Sequence, residues 1–279
     1  MPQLTFARAA LASTEMYREI PQHDPHIACL WIRDAEPTPQ SHRILPDACV
    51  DIVWTGTRLV VAGPATGPKL STVPANTAAI GIRFRVGAAG AALGLPAAEL
   101  LDTNVPLEDI WHDGREMTER VGDRPGVETL TDVVRGRLRA EPDALVRAVA
   151  TGAAPSIGAR QLRRRFAEAV GYGPKTLQRI LRFQRFLALA RTNTDLARLA
   201  LEAGYADQAH LTREAVRLQG RPPRELLLES EQRCGCGHDH AVSYGPLLRS
   251  MTATPPRRER SQASVTSRAA IAPAGVHAF

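Results

Sequence analysis

The sequence predicts an α+β protein. A small N-terminal β-barrel or sandwich with added helices precedes an all-α domain of two helix-turn-helix units joined by a long helix. Three observations carry this. Short apolar runs of strand length alternate with Pro/Gly clusters over the first hundred residues, a later segment has helical periodicity cut by glycine stops, and that later segment matches itself at a shift of 49 residues. The 279 residues leave room for two domains and a tail at about 100–200 residues per domain. A composition of 44% hydrophobic and 23% charged residues is that of a globular chain.

In chain order, "HIACLWI" (26–32), "SHRIL" (41–45), "CVDIVW" (49–54), "RLVVAG" (58–63) and "AAIGIRF" (78–84) are strand-length runs. Turn-forming clusters such as "EPTPQ" and "GPATGPK" separate them, the pattern of a small barrel or sandwich. From residue 87 the texture becomes Ala-rich and then helical, through "PAAELL" and "GVETLTDVVRGRLRA". We therefore divide the chain into a β-rich domain over 1–101, a helical linker over 102–141, a helical domain over 142–228 and a disordered tail over 229–279, which is rich in Ser, Pro, Ala and Arg without a sustained period.

Within the helical domain, Leu196, Leu199, Ala200 and Ala203 form one apolar face, and Gly204 supplies the left-handed residue that ends the helix. Asp207 is a good N-cap for a second helix, in which Leu211, Ala215 and Leu218 make the buried stripe before Gly220, Pro222 and Pro223 close it. Two short helices about a tight Gly turn make a helix-turn-helix. The shift of 49 aligns Leu162 with Leu211, Arg164 with Arg213, Gly171 with Gly220, Pro174 with Pro223 and Leu177 with Leu226. It makes "GARQLRRRFAEAV" (158–170) the counterpart of the second helix, with Arg160, Arg163, Arg164 and Ala167 opposite the buried stripe, as Ala209, Thr212, Arg213 and Val216 are in the other copy. Between the copies, "PKTLQRILRFQRFLALAR" (174–191) reads as one connecting helix with proline at a permitted N-terminal position.

The charge follows the same division. Residues 1–155 carry 15 basic and 19 acidic side chains, residues 156–228 carry 14 and 6, and residues 229–279 carry 6 and 4. A basic segment in an otherwise balanced chain fits either a polyanion-binding module or a solvated helical face. The repeat favours the first, because a rigid connector between two such units suits entry into successive major grooves about 34 Å apart.

The segments "RQLRRRF", "GYGPKTL", "RFQRFLALAR", "LARLALEAGYADQAHLTRE" and "GRPPREL" resemble the AraC/XylS-type DNA-binding domain. The stretches "ILPDACVDIVW", "VAGPATGPKL" and "AIGIRFRVGAAGAALGLPAAELLDTNVPLEDIW" resemble a β-rich domain of unknown function that precedes such domains in some bacterial regulators. The resemblance implies sequence-specific binding to double-stranded DNA and control of transcription, acting on RNA polymerase, with the N-terminal domain as the place for a small-molecule effector or homodimer formation. It also implies that Arg160, Arg163 and Arg164 in the first recognition helix, and Gln208, His210, Thr212 and Arg213 in the second, are the DNA-binding residues. An arginine fork matches guanine O6 and N7, although phosphate contact and plain solvation stay open for each residue. Departures from the family pattern are Gly158 at the first recognition-helix cap, Ala209 and Ala215 in the second helix, and a short leading helix in "DALVRAVATGAAPSI" (143–157). The last leaves the integrity of the first unit open.

Other chemistry is weakly signalled. Cys234, Cys236, His238 and His240 in "CGCGHDH" are soft ligands in principle, yet the run lacks two ligand pairs separated by a structured segment, so no metal site is expected. Cys49 beside Asp47 and Asp51, with His23, His26 and His42 scattered nearby, matches no catalytic motif; we expect no enzyme and no cofactor, the alternative being an enzyme or metal-binding protein with secondary DNA binding. Trp31 and Trp54 are either pocket walls or core. Cys29 and Cys49 lie in apolar runs and read as small buried hydrophobes. No apolar run approaches the ~18–20 residues of a membrane span, and the N-terminus lacks a signal-peptide core, so a cytoplasmic protein without a membrane partner is expected.

Overall fold

The computed structural model describes residues 17–138, 140–190 and 193–230. The expected tail from residue 231 onward, with its Cys/His run, lies outside the described residues, whereas residues 229 and 230, also assigned to that tail, end a helix. Eight strands form in the N-terminal part: β1 (Tyr17–Pro21), β2 (Ile27–Arg33), β3 (Gln40–Ile44), β4 (Asp51–Trp54), β5 (Leu59–Ala62), β6 (Lys69–Val73), β7 (Ala79–Phe84) and β8 (Asn104–Pro106). Six of them make one antiparallel sheet in the order β1-β2-β7-β4-β5-β8, and β3 pairs with β6 as a separate ribbon.

The expected barrel is not closed among the described residues; β1 and β8 are the two edges of an open sheet. Each edge strand ends in a proline, Pro21 or Pro106, which has no N–H to offer a further strand. The five expected runs all carry strands. Strands β1, β6 and β8 were not foreseen, because "YREIP", "KLSTV" and "NVP" lack an apolar run; β1 pairs with its neighbour β2, and β6 and β8 owe their form to partners distant in sequence, β3 and β5.

Central strand β7 is buried along its whole length. Its alternation sends Ile80, Ile82 and Phe84 to one face, where Met117 and Val121 of α2 (Gly114–Asp123) and Leu130 and Val134 of α3 (Val127–Arg135) complete a core that includes Trp54. Segment 102–141 thus contributes β8 to the sheet and two helices to this core. Gly81 and Arg83 point the other way. A Cβ on Gly81 would lie 2.2 Å from the Trp31 ring, so glycine lets the indole lie flat on the central strand. Arg83, 2% exposed, donates to both Asp51 carboxylate oxygens at 3.1 Å and to Glu19 Oε1 at 3.0 Å, and Trp31 Nε1 donates to Asp51 Oδ2 at 3.0 Å. Both tryptophans are therefore packing residues.

The helical part comprises α4 (Ala144–Ala150), α5 (Ala159–Val170), α6 (Pro174–Leu189), α7 (Leu196–Ala203), α8 (Gln208–Gln219) and α9 (Pro223–Ser230). Its core does not stop at the domain boundary. Leu45, Ala48, Cys49 and Val86 from the β-rich part join Val146, Phe166, Val170, Tyr172, Leu181 and Phe183 in one cluster. Helix α1 (Ala89–Leu93) meets α5 so closely that a Cβ on Gly90 would lie 2.2 Å from the Glu168 carbonyl oxygen. Buried Gln184 of α6 donates to the Pro46 carbonyl at 2.7 Å. The two parts are fused through a shared interior.

Candidate nucleic-acid interface

The second unit is built as its punctuation dictates. Asp195 accepts from the N–H groups of Ala197 and Arg198 and starts α7; Gly204, at φ 93°, ends it. Asp207 accepts from His210 N at 2.6 Å and starts α8; Gly220, at φ 80°, ends that. Leu199, Ala200, Ala203, Leu211, Ala215 and Leu218 are buried. The turn is pinned to α6 by Arg182, whose guanidinium lies 5.4 Å from the Tyr205 ring centre, and α8 is tied to α6 by Arg179, which pairs with Glu214 at 2.5 Å. Burial raises the Tyr205 hydroxyl above its ordinary pKa, so it stays neutral.

The first unit has a longer connection between its two helices. Asp143 accepts from the N–H groups of Leu145 and Val146 to start α4, which has only seven residues, and residues 151–158 then run to α5. Gly158, extended at φ −63° and ψ 151°, offers α5 no side-chain cap. Arg165 of α5 returns to Asp143 at 2.6 Å, tying the two helices together. Burial acts to raise the Asp143 pKa, but the Arg165 hydrogen bond and the two backbone N–H groups outweigh it and hold the carboxyl below its usual range. Leu162, Phe166, Ala169 and Val170 face the core, and Gly171 ends the helix at φ 95°.

The outward faces are those the sequence proposed. Arg160, Arg163 and Arg164 are exposed on α5, as are Gln208 and Arg213 on α8, with Thr212 partly so. Arg163 Nε donates to the Ala159 carbonyl at 3.3 Å, and Arg164 lies 3.8 Å from Glu168. Thr212 turns its hydroxyl back to the Gln208 carbonyl at 2.9 Å. His210 is half-buried; its Nδ1 accepts from Ala206 N at 3.3 Å and its ring stands edge-on to Tyr205, 5.2 Å between centres. It packs the turn.

Two cations escaped the sequence reading. Lys175 and Arg224 are exposed in the first turns of α6 and α9, directly after α5 and α8. They are 49 residues apart, so carrying the repeat one helix further would have found them. Conversely, Arg165, Arg179 and Arg182 spend their charge inside the fold. In the β-rich part, Cys49 is buried and its N–H is bonded by Asp47 Oδ1 at 2.9 Å, while His26 Nε2 lies 2.7 Å from the Ala140 carbonyl. No group of three His, Cys, Asp or Glu side chains among the described residues is placed to hold a metal ion, and none of their helices is long and apolar enough to cross a membrane.

Comparison with known proteins matches two segments of the chain. Residues 152–228 match a family described as "Helix-turn-helix domain", and residues 20–106 match a "Domain of unknown function (DUF6597)". No curated protein matches. Among solved structures, an apo lysine-to-alanine variant of ToxT from Vibrio cholerae strain SCE256 is similar at 11% identity over 75% of this chain and 99% of its own, with a TM-score of 0.38. A second Vibrio cholerae ToxT structure gives 11% identity over 76% and 96%, with a TM-score of 0.32. Both likenesses are too loose to add to the fold. By the two segments matched, the chain has a helix-turn-helix domain at 152–228 that follows a domain of unknown function at 20–106.

Proposed function

We propose that α5 and α8 are the two recognition helices and that they enter successive major grooves on one side of the duplex. The supporting observation is that Arg164 and Arg213 occupy equivalent positions of the 49-residue repeat, and both are exposed on a face opposite the buried stripe. In this reading Arg160, Arg164, Gln208 and Arg213 reach base edges. Arg163 and Thr212, already bonded to their own helices, contribute less sequence information. Lys175 and Arg224 hold phosphates beside the helix N-termini, where exposed N–H groups also favour an anion.

Selection of bound duplexes from a random pool, followed by titration of the winner at two salt concentrations, tests this. The expected motif has two half-sites about 10–10.5 base pairs apart. Arg213→Ala weakens binding by about 1–3 kcal/mol and relaxes preference at one position, whereas Lys175→Ala weakens binding to all sequences and lowers the salt slope by about one contact. A single recovered half-site removes α5 from base reading. Recovery of no motif, with binding that only fades as salt rises, defeats the proposal.

A further inference from the structure

The loop between β5 and β6, Gly63–Pro68, runs "GPATGP" and touches the ends of both proposed recognition helices. A Cβ on Gly171, the left-handed stop of α5, would lie 2.7 Å from Pro64 Cγ. The nearest atom to a Cβ on Gly220, the equivalent stop of α8, is Pro68 Cγ at 3.7 Å. From the ribbon strand beside β6, Arg43 Nη1 donates to the Gln219 carbonyl, in the last turn of α8, at 3.1 Å. Such a carbonyl has no partner within its own helix, and a cation there is favoured.

This loop is anchored to the β-rich domain. Asp102 accepts from Thr66 N at 2.8 Å and from Thr66 Oγ1 at 2.6 Å, and its own N–H donates to the Pro64 carbonyl at 3.0 Å. Gly63 N donates to the Thr103 carbonyl at 3.0 Å, and Gly63 lies against Leu100 so tightly that no Cβ would fit. Ala65 is buried. Proline fixes φ at both contact points. Pro64 and Pro68 are four positions apart in sequence, so they lie within about 14 Å of each other at full extension.

Building on the recognition roles proposed above, we infer that the 63–68 loop and Arg43 are positioning elements. They hold the C-terminal ends of α5 and α8 at a set distance and thereby fix the half-site spacing that the protein accepts. Within the helical part α8 is held by α6, α7 and α9. The loop adds a point of support from outside it, and it makes the β-rich domain part of the DNA-reading geometry.

The test has a readout on DNA and one without it. Two glycines are inserted between Thr66 and Gly67 in the full chain, and separately Arg43→Ala is made, which leaves the loop anchor intact. Duplexes carrying the selected half-sites at spacings changed by one or two base pairs are titrated with each protein. Wild type is expected to discriminate sharply. The insertion is expected to lower that discrimination by about tenfold at unchanged affinity for a single half-site, and Arg43→Ala to lower it less. In parallel, spin labels at Gln161→Cys and Arg217→Cys, with Cys234→Ser and Cys236→Ser, report the distance distribution between α5 and α8 in the free protein. It broadens in both variants if the loop positions the helices. An unchanged distribution overturns the inference whether or not DNA is bound. A broadened distribution with no sequence-specific binding by wild type leaves the positioning role standing and defeats the recognition roles instead.

Discussion

The two helix-turn-helix units descend from one pattern at a 49-residue spacing, yet they are stabilised differently. The second is punctuated by its own side chains, with Asp195 and Asp207 as caps, a four-residue turn pinned by Arg182, and α8 tied to α6 by Arg179. The first has a long passage from α4 to α5 and a glycine at the N-cap of α5. What it lacks in local signals it gains from neighbours: α1, Ala97 and Pro64 press on α5, and Phe166 is buried in the core shared with the β-rich domain. Local punctuation and tertiary support substitute for each other.

The largest expected effect separates the two supports. Phe166→Ala should cost about 3–5 kcal/mol. Because that core is shared, the loss should appear equally in tryptophan fluorescence, whose reporters Trp31, Trp54 and Trp111 all precede the helical domain, and in the helical signal. Leu211→Ala should cost about 2–5 kcal/mol, but should lower the helical transition more than the fluorescence one. Coincident shifts for both variants would show that the second unit is as deeply fused as the first.

Next comes a matched pair of glycines. Gly220→Ala places a side chain at φ 80° with Pro68 at ordinary contact distance, so its cost should be the left-handed penalty of about 1–2 kcal/mol. Gly171→Ala, at φ 95°, meets Pro64 at 2.7 Å and the Ala97 carbonyl at 3.1 Å as well, and overpacking should add about 1–3 kcal/mol. Equal midpoint shifts in urea would mean that the Pro64 contact yields freely.

These contrasts also mark what could be read from the sequence. The second unit was legible almost to the residue, because each boundary is set by a local event: an Asp carboxylate on a free N–H, or a glycine at positive φ. Strands β2, β3, β4, β5 and β7 were legible from strand-length runs. The fusion of the domains was not. Leu45, Ala48, Cys49 and Val86 look like strand-end or linker hydrophobes, and nothing local says that their partners lie a hundred residues on. The outward arginines were legible through the repeat. That Arg165, Arg179 and Arg182 are internal fasteners was not, since a charge count cannot distinguish an exposed guanidinium from one paired with Asp143 or Glu214.

Smaller effects lie at the caps. Asp207→Ala should cost about 1 kcal/mol and fray the first turn of α8, weakening DNA binding more than the stability loss alone requires. Gly158 already has the extended geometry of a cap, and a Cβ there meets nothing within 4 Å. Gly158→Ser should therefore stabilise α5 by a few tenths of a kcal/mol. If Gly158→Ser instead destabilises the protein, the approach to α5 is held by something other than its missing cap.

The smallest expected effect is a pH dependence confined to the first unit. Asp143 serves two tasks, capping α4 and binding Arg165, and both hold its folded pKa below the ordinary carboxylate value. A depressed folded pKa means that the unfolded chain binds the proton first as pH falls. The stabilisation is therefore complete above about pH 4, the unfolded range, and is lost as pH drops through the lower folded value. Leu145 N and Val146 N both bond Asp143 Oδ1, so Asp143→Asn keeps an oxygen that can cap α4 but has no charge to pair with Arg165; it should be less stable than wild type at pH 7, with the gap closing below about pH 4. Chemical denaturation of both proteins from pH 7 to pH 3 checks this. A gap that stays constant would place the contribution of Asp143 in neutral hydrogen bonding and remove the ion pair from the account of how the first unit is held.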